Sequence, residues 1–180
     1  MTVRVGLIGL GTVGAEAART LAAHAEMITA RAGAPVVVTE VSARSRSKDR
    51  GIDISGMTWR DDPSQLAVSD NVDIVVELVG GEDGPALAAV EAALAAGKHV
   101  VTANKAMIAR HGARLAALAE ANGAQLAFEA AVAGGIPILK ALKEGLAGND
   151  VERVHGILNG TCNFILTEML STGRAFDDVL

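Results

Sequence analysis

The residues with the clearest chemistry are Gly9-Leu10-Gly11-Thr12-Val13-Gly14. They follow a short apolar run, Val3 to Ile8, and open a stretch with helical spacing. A strand, a glycine turn and a helix start, in that order, form a cradle for the pyrophosphate of a dinucleotide. Gly9 permits the tight turn. Gly11 has no Cβ, so a phosphate can approach the backbone. Gly14 lets the helix pack closely on the strand. The free N–H groups at the helix start then meet the phosphate charge.

A second group lies past the next strand, Val36 to Val41, which runs into Ser42-Ala43-Arg44-Ser45-Arg46-Ser47-Lys48. A nucleotide ribose with a free 2′-hydroxyl is held by an acid at this strand end. No acid stands there, and Glu40 falls too early, within the strand. Arg44, Arg46 and Lys48 instead offer cations, and a 2′-phosphate takes bidentate arginine hydrogen bonds well. The pattern predicts NADP in preference to NAD, with Arg44, nearest the strand end, as its reader. The plainer alternative is a solvated basic loop.

Three further segments carry polar groups at the ends of expected strands. Thr102-Ala103-Asn104-Lys105 closes an apolar strand and opens a helix. Lys105 there can hold a carboxylate or polarise an oxygen, although a surface lysine at a helix start is the alternative. Glu129 ends the apolar run Gln125 to Glu129 and precedes Gly134-Gly135-Ile136-Pro137. Carboxylate and carbonyl oxygens together suit a hard cation; the alternative is a tight turn with Glu129 paired to an Arg or Lys. Asn159-Gly160-Thr161-Cys162-Asn163 can hydrogen-bond a polar substrate, or Thr161 can simply cap a helix. Cys162 reads as a packed thiol, and the histidines lack metal-ligand spacing.

The elements that must position these groups alternate. Strands are expected at Val3–Ile8, Val36–Val41, Asp73–Val79, Lys98–Thr102 and Gln125–Glu129, with helices at 13–32, 85–96 and 104–122 between them. The stretch 44–63 reads as irregular. This predicts an α/β fold with a doubly wound, mostly parallel sheet of Rossmann type. After it come a helix at 138–146, a strand at 151–158 and a helix at 161–170. The expected domains are 1–148, binding the nucleotide, and 149–180, the truncated start of a second, α+β domain. The 180 residues are 50% hydrophobic, enough for a sizeable core, and the net charge of −5 argues against nucleic acid or an acidic membrane surface as partner. A single cysteine excludes an internal disulfide. With no signal peptide and no apolar stretch of bilayer length, a cytoplasmic location is the expectation.

Four segments taken together resemble homoserine dehydrogenase: GLIGLGTVG near the start, VTANKA at 101–106, FEAAVAGGIPIL at 128–139 and GILNGTCNFIL at 156–166. The resemblance covers the whole chain, and the last three segments are the specific ones. It implies reversible NAD(P)-dependent reduction of aspartate 4-semialdehyde to homoserine, on the route to threonine, methionine and isoleucine. It implies that Leu10, Thr12, Val13, Arg44, Thr102 and Lys105 contact the cofactor. It implies a structural monovalent cation, sodium in most members, on Glu129 and the carbonyls of Val132, Gly134 and Ile136. Gly160, Thr161 and Asn163 would line the substrate region, and Lys105 would share in supplying a proton or charge to the reacting oxygen. The strand at 151–158 would begin a sheet used for homodimerisation. The family's acidic substrate ligands and its proton-donor lysine lie beyond residue 180, so this chain is not expected to be a competent enzyme alone. Another nicotinamide dehydrogenase and a non-catalytic NADP-binding module are the alternatives.

Overall fold

The computed structural model describes residues 1–156 and 159–180. Six parallel strands form one sheet: β1 (Val3–Ile8), β2 (Val36–Ser42), β3 (Thr58–Trp59), β4 (Ile74–Glu77), β5 (His99–Thr102) and β6 (Leu126–Ala127). Their order is β3-β2-β1-β4-β5-β6, so the winding reverses at β1, with β2 on one side and β4 on the other. In open parallel sheets the ligand crevice lies at such a reversal, beyond the carboxyl ends of the strands.

The helices, in chain order, are α1 (Thr12–Ala23), α2 (Ala25–Ala32), α3 (Pro63–Ala67), α4 (Pro85–Ala95), α5 (Lys105–Ala121), α6 (Glu129–Val132), α7 (Ile138–Lys140), α8 (Gly160–Thr172) and α9 (Phe176–Val179). Those within residues 1–134 cover both faces of the sheet. Alternation along β1 divides the core. Val5 and Leu7 pack with Ala18 and Val41 in a cluster under α1. Ile8 joins Leu66, Val90, Leu94, Met107 and Leu115 beneath α3, α4 and α5 on the other face. Gly6 shares that second face, where an added Cβ would lie 2.5 Å from Leu66 Cδ2. Its missing side chain is what admits α3 to the sheet.

Several elements depart from the sequence expectation. The helix expected over 13–32 is two helices, with His24 (φ −110°, ψ 23°) between them. Apolar residues continue at helical spacing through the break, so periodicity does not mark it. The stretch expected to be irregular at 44–63 contains β3, which pairs Thr58 with Glu40 and Trp59 with Val41. A two-residue edge strand is too short to show alternation. The strand expected at 125–129 is only Leu126–Ala127, and Glu129 opens α6 rather than closing a strand. The helix expected at 138–146 is the short α7 followed by a π-helical turn, Ala141–Gly145. Residues 151–156 take no place in a strand, having no ladder partner among the described residues; Ile157 and Leu158 lie outside those residues.

Chain contacts divide residues 1–134 from 135–180, ahead of the expected boundary at 148. The second unit contains α7, α8 and α9. Asn159 caps α8, its Oδ1 accepting the Cys162 N–H at 2.8 Å, and Gly173 ends it in the left-handed conformation. Among the described residues, no helix is long and apolar enough to cross a membrane.

Candidate nucleotide-binding site

The glycine turn sits at the carboxyl end of β1. Gly9 adopts φ +100°, and a Cβ there would press within 2.9 Å of the Leu78 backbone. The turn is pinned from both sides: Gly9 N–H donates to Ser42 O at 2.8 Å, and Leu78 N–H to Ile8 O at 2.8 Å. A Cβ on Gly14 would fall 1.9 Å from the Gly9 carbonyl oxygen, so the helix touches the turn there. At Gly11, by contrast, an added Cβ would meet nothing within 4 Å. Gly11 is also the N-cap of α1, and no side chain caps the helix. Thr12 and Val13 are exposed beside it. Open space, uncapped N–H groups and the positive end of a twelve-residue helix therefore coincide.

The turn opens into a cavity of about 420 Å³ bounded by Gly9, Gly11, Arg44, Ser45, Lys48 and Arg50, among others. Its cations stand beyond β2, as the sequence suggests for Arg44 and Lys48. Glu40 is unavailable to a ribose. It is buried, accepts from Arg60 Nε at 2.8 Å and Nη2 at 3.1 Å, and accepts the Ser69 hydroxyl at 2.7 Å. The Arg60 hydrogen bonds outweigh the cost of burial and hold its carboxyl below the ordinary range. Arg50 was missing from the sequence reading. Its guanidinium donates to the carbonyls of Leu10 (3.0 Å), Lys48 (2.7 Å) and Ser45. Nothing in a polar loop of alternating Arg, Ser and Lys distinguishes it beforehand.

At the ends of β4 and β5 a second polar cluster lies on the other side of the reversal. Glu77 is fully buried; its Oε1 accepts the N–H groups of Val79 (2.7 Å) and Gly80 (3.1 Å). Its Oε2 accepts the Thr102 hydroxyl at 2.6 Å. Thr102 is thereby buried with its hydroxyl turned inward, and offers no side-chain atom to the cavity. Asn104 caps α5 through Oδ1, which accepts the Met107 N–H at 3.1 Å, while Nδ2 donates to Gly81 O at 2.7 Å. Lys105 is exposed at the first position of α5. Glu77 escaped the sequence reading, although an acid closing a near-continuous apolar strand is the signal that could have found it.

The remaining sequence-predicted residues divide between the units. Glu129 and Val132 are the first and last residues of α6, and Gly134 ends the first unit. Ile136, exposed, belongs to the second unit. Gly160, Thr161 and Asn163 form the exposed first turn of α8; Asn159, not Thr161, is its cap. Cys162 is exposed and not packed, because it lies on that same open turn. Among the described residues, no cluster of three or more His, Cys, Asp or Glu could hold a metal ion.

Comparison with known proteins bears on the whole chain. The family profile described as homoserine dehydrogenase, NAD binding domain, matches residues 9–129, and the homoserine dehydrogenase profile matches 137–180. The chain belongs to the homoserine dehydrogenase family. It is 49% identical to the homoserine dehydrogenase of Neisseria gonorrhoeae and 47% identical to that of Pseudomonas aeruginosa, covering 99% of this chain and 40% of each relative. It therefore spans about 40% of the length of the curated relatives it matches. A crystal structure of a homoserine dehydrogenase from Thiobacillus denitrificans superposes with a TM-score of 0.87 at 48% identity, over 100% of this chain and 41% of that one. A hyperthermophilic archaeal homoserine dehydrogenase in complex with NADPH superposes with a TM-score of 0.80 at 28% identity, over 99% of this chain and 59% of that one. The glycine turn, the cavity and the ends of β4 and β5 all fall within the nicotinamide-nucleotide domain of this homoserine dehydrogenase-family chain.

Proposed function

We propose that this chain forms the cofactor-binding part of an enzyme that interconverts aspartate 4-semialdehyde and homoserine, with NADP as the preferred hydride carrier. The observation that carries the reading is the acid-free end of β2, where Arg44 and Lys48 line the cavity that Gly11 leaves open. A bound nicotinamide nucleotide supplies or accepts the hydride. The chain's own residues orient it. The backbone of Gly9 to Gly14 and the start of α1 would take the pyrophosphate, with Leu10, Thr12 and Val13 around it. Arg44 would take the 2′-phosphate through its planar fork. The complex of the archaeal relative with NADPH supports this choice.

Lys105 stands at the crevice side of β5, held there by the Asn104 cap. Its ammonium can bind an oxygen that gains negative charge as hydride moves. Thr102, turned inward, would serve by fixing Asn104 and so Lys105, since Asn104 N–H donates to its hydroxyl oxygen at 3.0 Å. Gly160, Thr161 and Asn163 would meet the substrate. Glu129, with the carbonyls of Val132, Gly134 and Ile136, would hold a monovalent cation, sodium by preference. The intact enzyme would be a homodimer acting on small molecules in the cytoplasm.

Two measurements test this. Calorimetric titration of the chain should show uptake of NADP, tighter than NAD, and Arg44→Ala should weaken NADP far more than NAD. The intact protein should reduce NADP only when homoserine is present. Equal weakening of both nucleotides would remove Arg44 from its role. Nucleotide uptake without homoserine-dependent turnover by the intact protein would leave a binding module in place of an enzyme.

A further inference from the structure

We propose that Arg50 is a positioning residue for nucleotide selection, a latch that holds the loop after β2 against the glycine turn. The inference rests on the reading of the first unit as an NADP site and adds a residue that reading does not use.

Between Ala43 and Arg50 the loop carries the cations that would read a 2′-phosphate. Its other hydrogen bonds, among the described residues, are local: Ser45 and Ser47 hydroxyls at 3.4 Å, and Gly51 N–H to Asp49 at 2.8 Å. Among the described residues, Arg50 alone ties it by side-chain hydrogen bonds to the body of the domain. Nη1 and Nη2 grip Lys48 O and Ser45 O within the loop, and Nε grips Leu10 O in the glycine turn. The guanidinium also lies 5.6 Å from the centre of the Trp59 ring, on edge strand β3. One planar group thus joins turn, loop and sheet edge.

Two consequences follow from geometry. First, the loop backbone that carries Arg44 and Lys48 is ordered before any nucleotide arrives, which reduces the ordering cost of binding. Secondly, the C=O and N–H of a trans peptide point in opposite directions. Holding Leu10 O therefore also fixes the direction of the Gly11 N–H, in the turn that would take the pyrophosphate. NADP uses both effects, whereas NAD uses only the second. Loss of the latch must then cost NADP more than NAD.

Arginine and lysine separate a latch from a phosphate ligand. Lysine keeps the charge but cannot span carbonyls on three residues with a rigid fork. The test is calorimetric titration of NADP and NAD into wild type, Arg50→Lys and Arg50→Ala. Arg50→Lys should resemble Arg50→Ala, with NADP affinity down about tenfold, the equivalent of one lost charge-assisted hydrogen bond, and NAD down less, so that selectivity falls. Trp59→Leu, which keeps every Arg50 donor and removes the supporting ring together with its own hydrogen bond to Asp61, should lose part of the selectivity; it also guards against an Arg50 variant that fails to fold. The single tryptophan gives a second readout, because its emission should change when NADP binds to wild type and change less in Arg50→Lys.

Retention of wild-type NADP affinity and selectivity by Arg50→Lys would overturn the latch. So would equal weakening of both nucleotides, which marks a purely structural arginine. If wild type takes up neither nucleotide, the proposed function itself fails. If wild type prefers NADP and the variants keep that preference undiminished, only the latch fails.

Discussion

Two glycines three positions apart should fail in opposite ways when given a methyl group. At Gly14 the added Cβ would stand 1.9 Å from the Gly9 carbonyl oxygen and 2.9 Å from its carbon. The two groups must separate by at least about 1 Å before the contact resembles a tolerated carbon–oxygen approach. The turn cannot retreat freely, being bonded to Ser42 through Gly9 N–H and backed by Leu78. Overpacking of this kind costs up to about 3 kcal/mol. Alanine returns about 1 kcal/mol as the better helix former, which leaves a net loss near 2 kcal/mol, or a fall of about 5–10 °C in Tm for a domain of this size. At Gly11 an added Cβ meets nothing within 4 Å, and φ −74°, ψ −163° suits any residue. Gly11→Ala should therefore melt within about 1 kcal/mol of wild type, the scale of an N-cap exchange. It should nonetheless lose at least about tenfold in NADP affinity, because the methyl occupies the line of phosphate approach. Circular-dichroism melts and calorimetric titration on both variants decide the matter. Wild-type NADP affinity in Gly11→Ala, or an unchanged melt in Gly14→Ala, would refute the assignment of the turn.

Other perturbations read other parts of the structure. Arg60→Ala leaves the buried Glu40 carboxylate with the neutral partners Ser69 and Asn71 and no cation; since Arg60 is part-exposed, the urea midpoint should fall, but by less than breaking a fully buried pair would cause. The carboxyls of Glu40 and Asp73 are both held below the ordinary range, chiefly by hydrogen bonds from Arg60 and Arg4. Their stabilisation is present above the unfolded carboxylate range and is lost as pH falls through the depressed folded values, so Tm should be flat near neutrality and fall below about pH 4.5. Glu40→Gln should make that acid limb shallower. Asn104→Asp keeps the cap on α5 but removes the donor to Gly81 O, costing about 1 kcal/mol, while Asn104→Ala loses both and should cost about 2.

The sequence by itself determined the strand, glycine turn and helix start at 3–14, the parallel winding and the families of side chain at each strand end. These are local matters. β-Branched runs, glycines at fixed offsets and the Asn104 start signal act within a few residues, so a one-dimensional pattern carries them. The cation-rich, acid-free end of β2 was legible for the same reason. Only the tertiary structure decided where Arg50 reaches, because its partner in the turn, Leu10 O, lies forty positions away. It also decided that Thr102 turns inward to Glu77, that Glu40 is committed to Arg60, and that Gly6 makes room for Leu66. Each of those outcomes depends on which segments meet across the sheet, and a buried polar group takes whichever partner the packing brings to it.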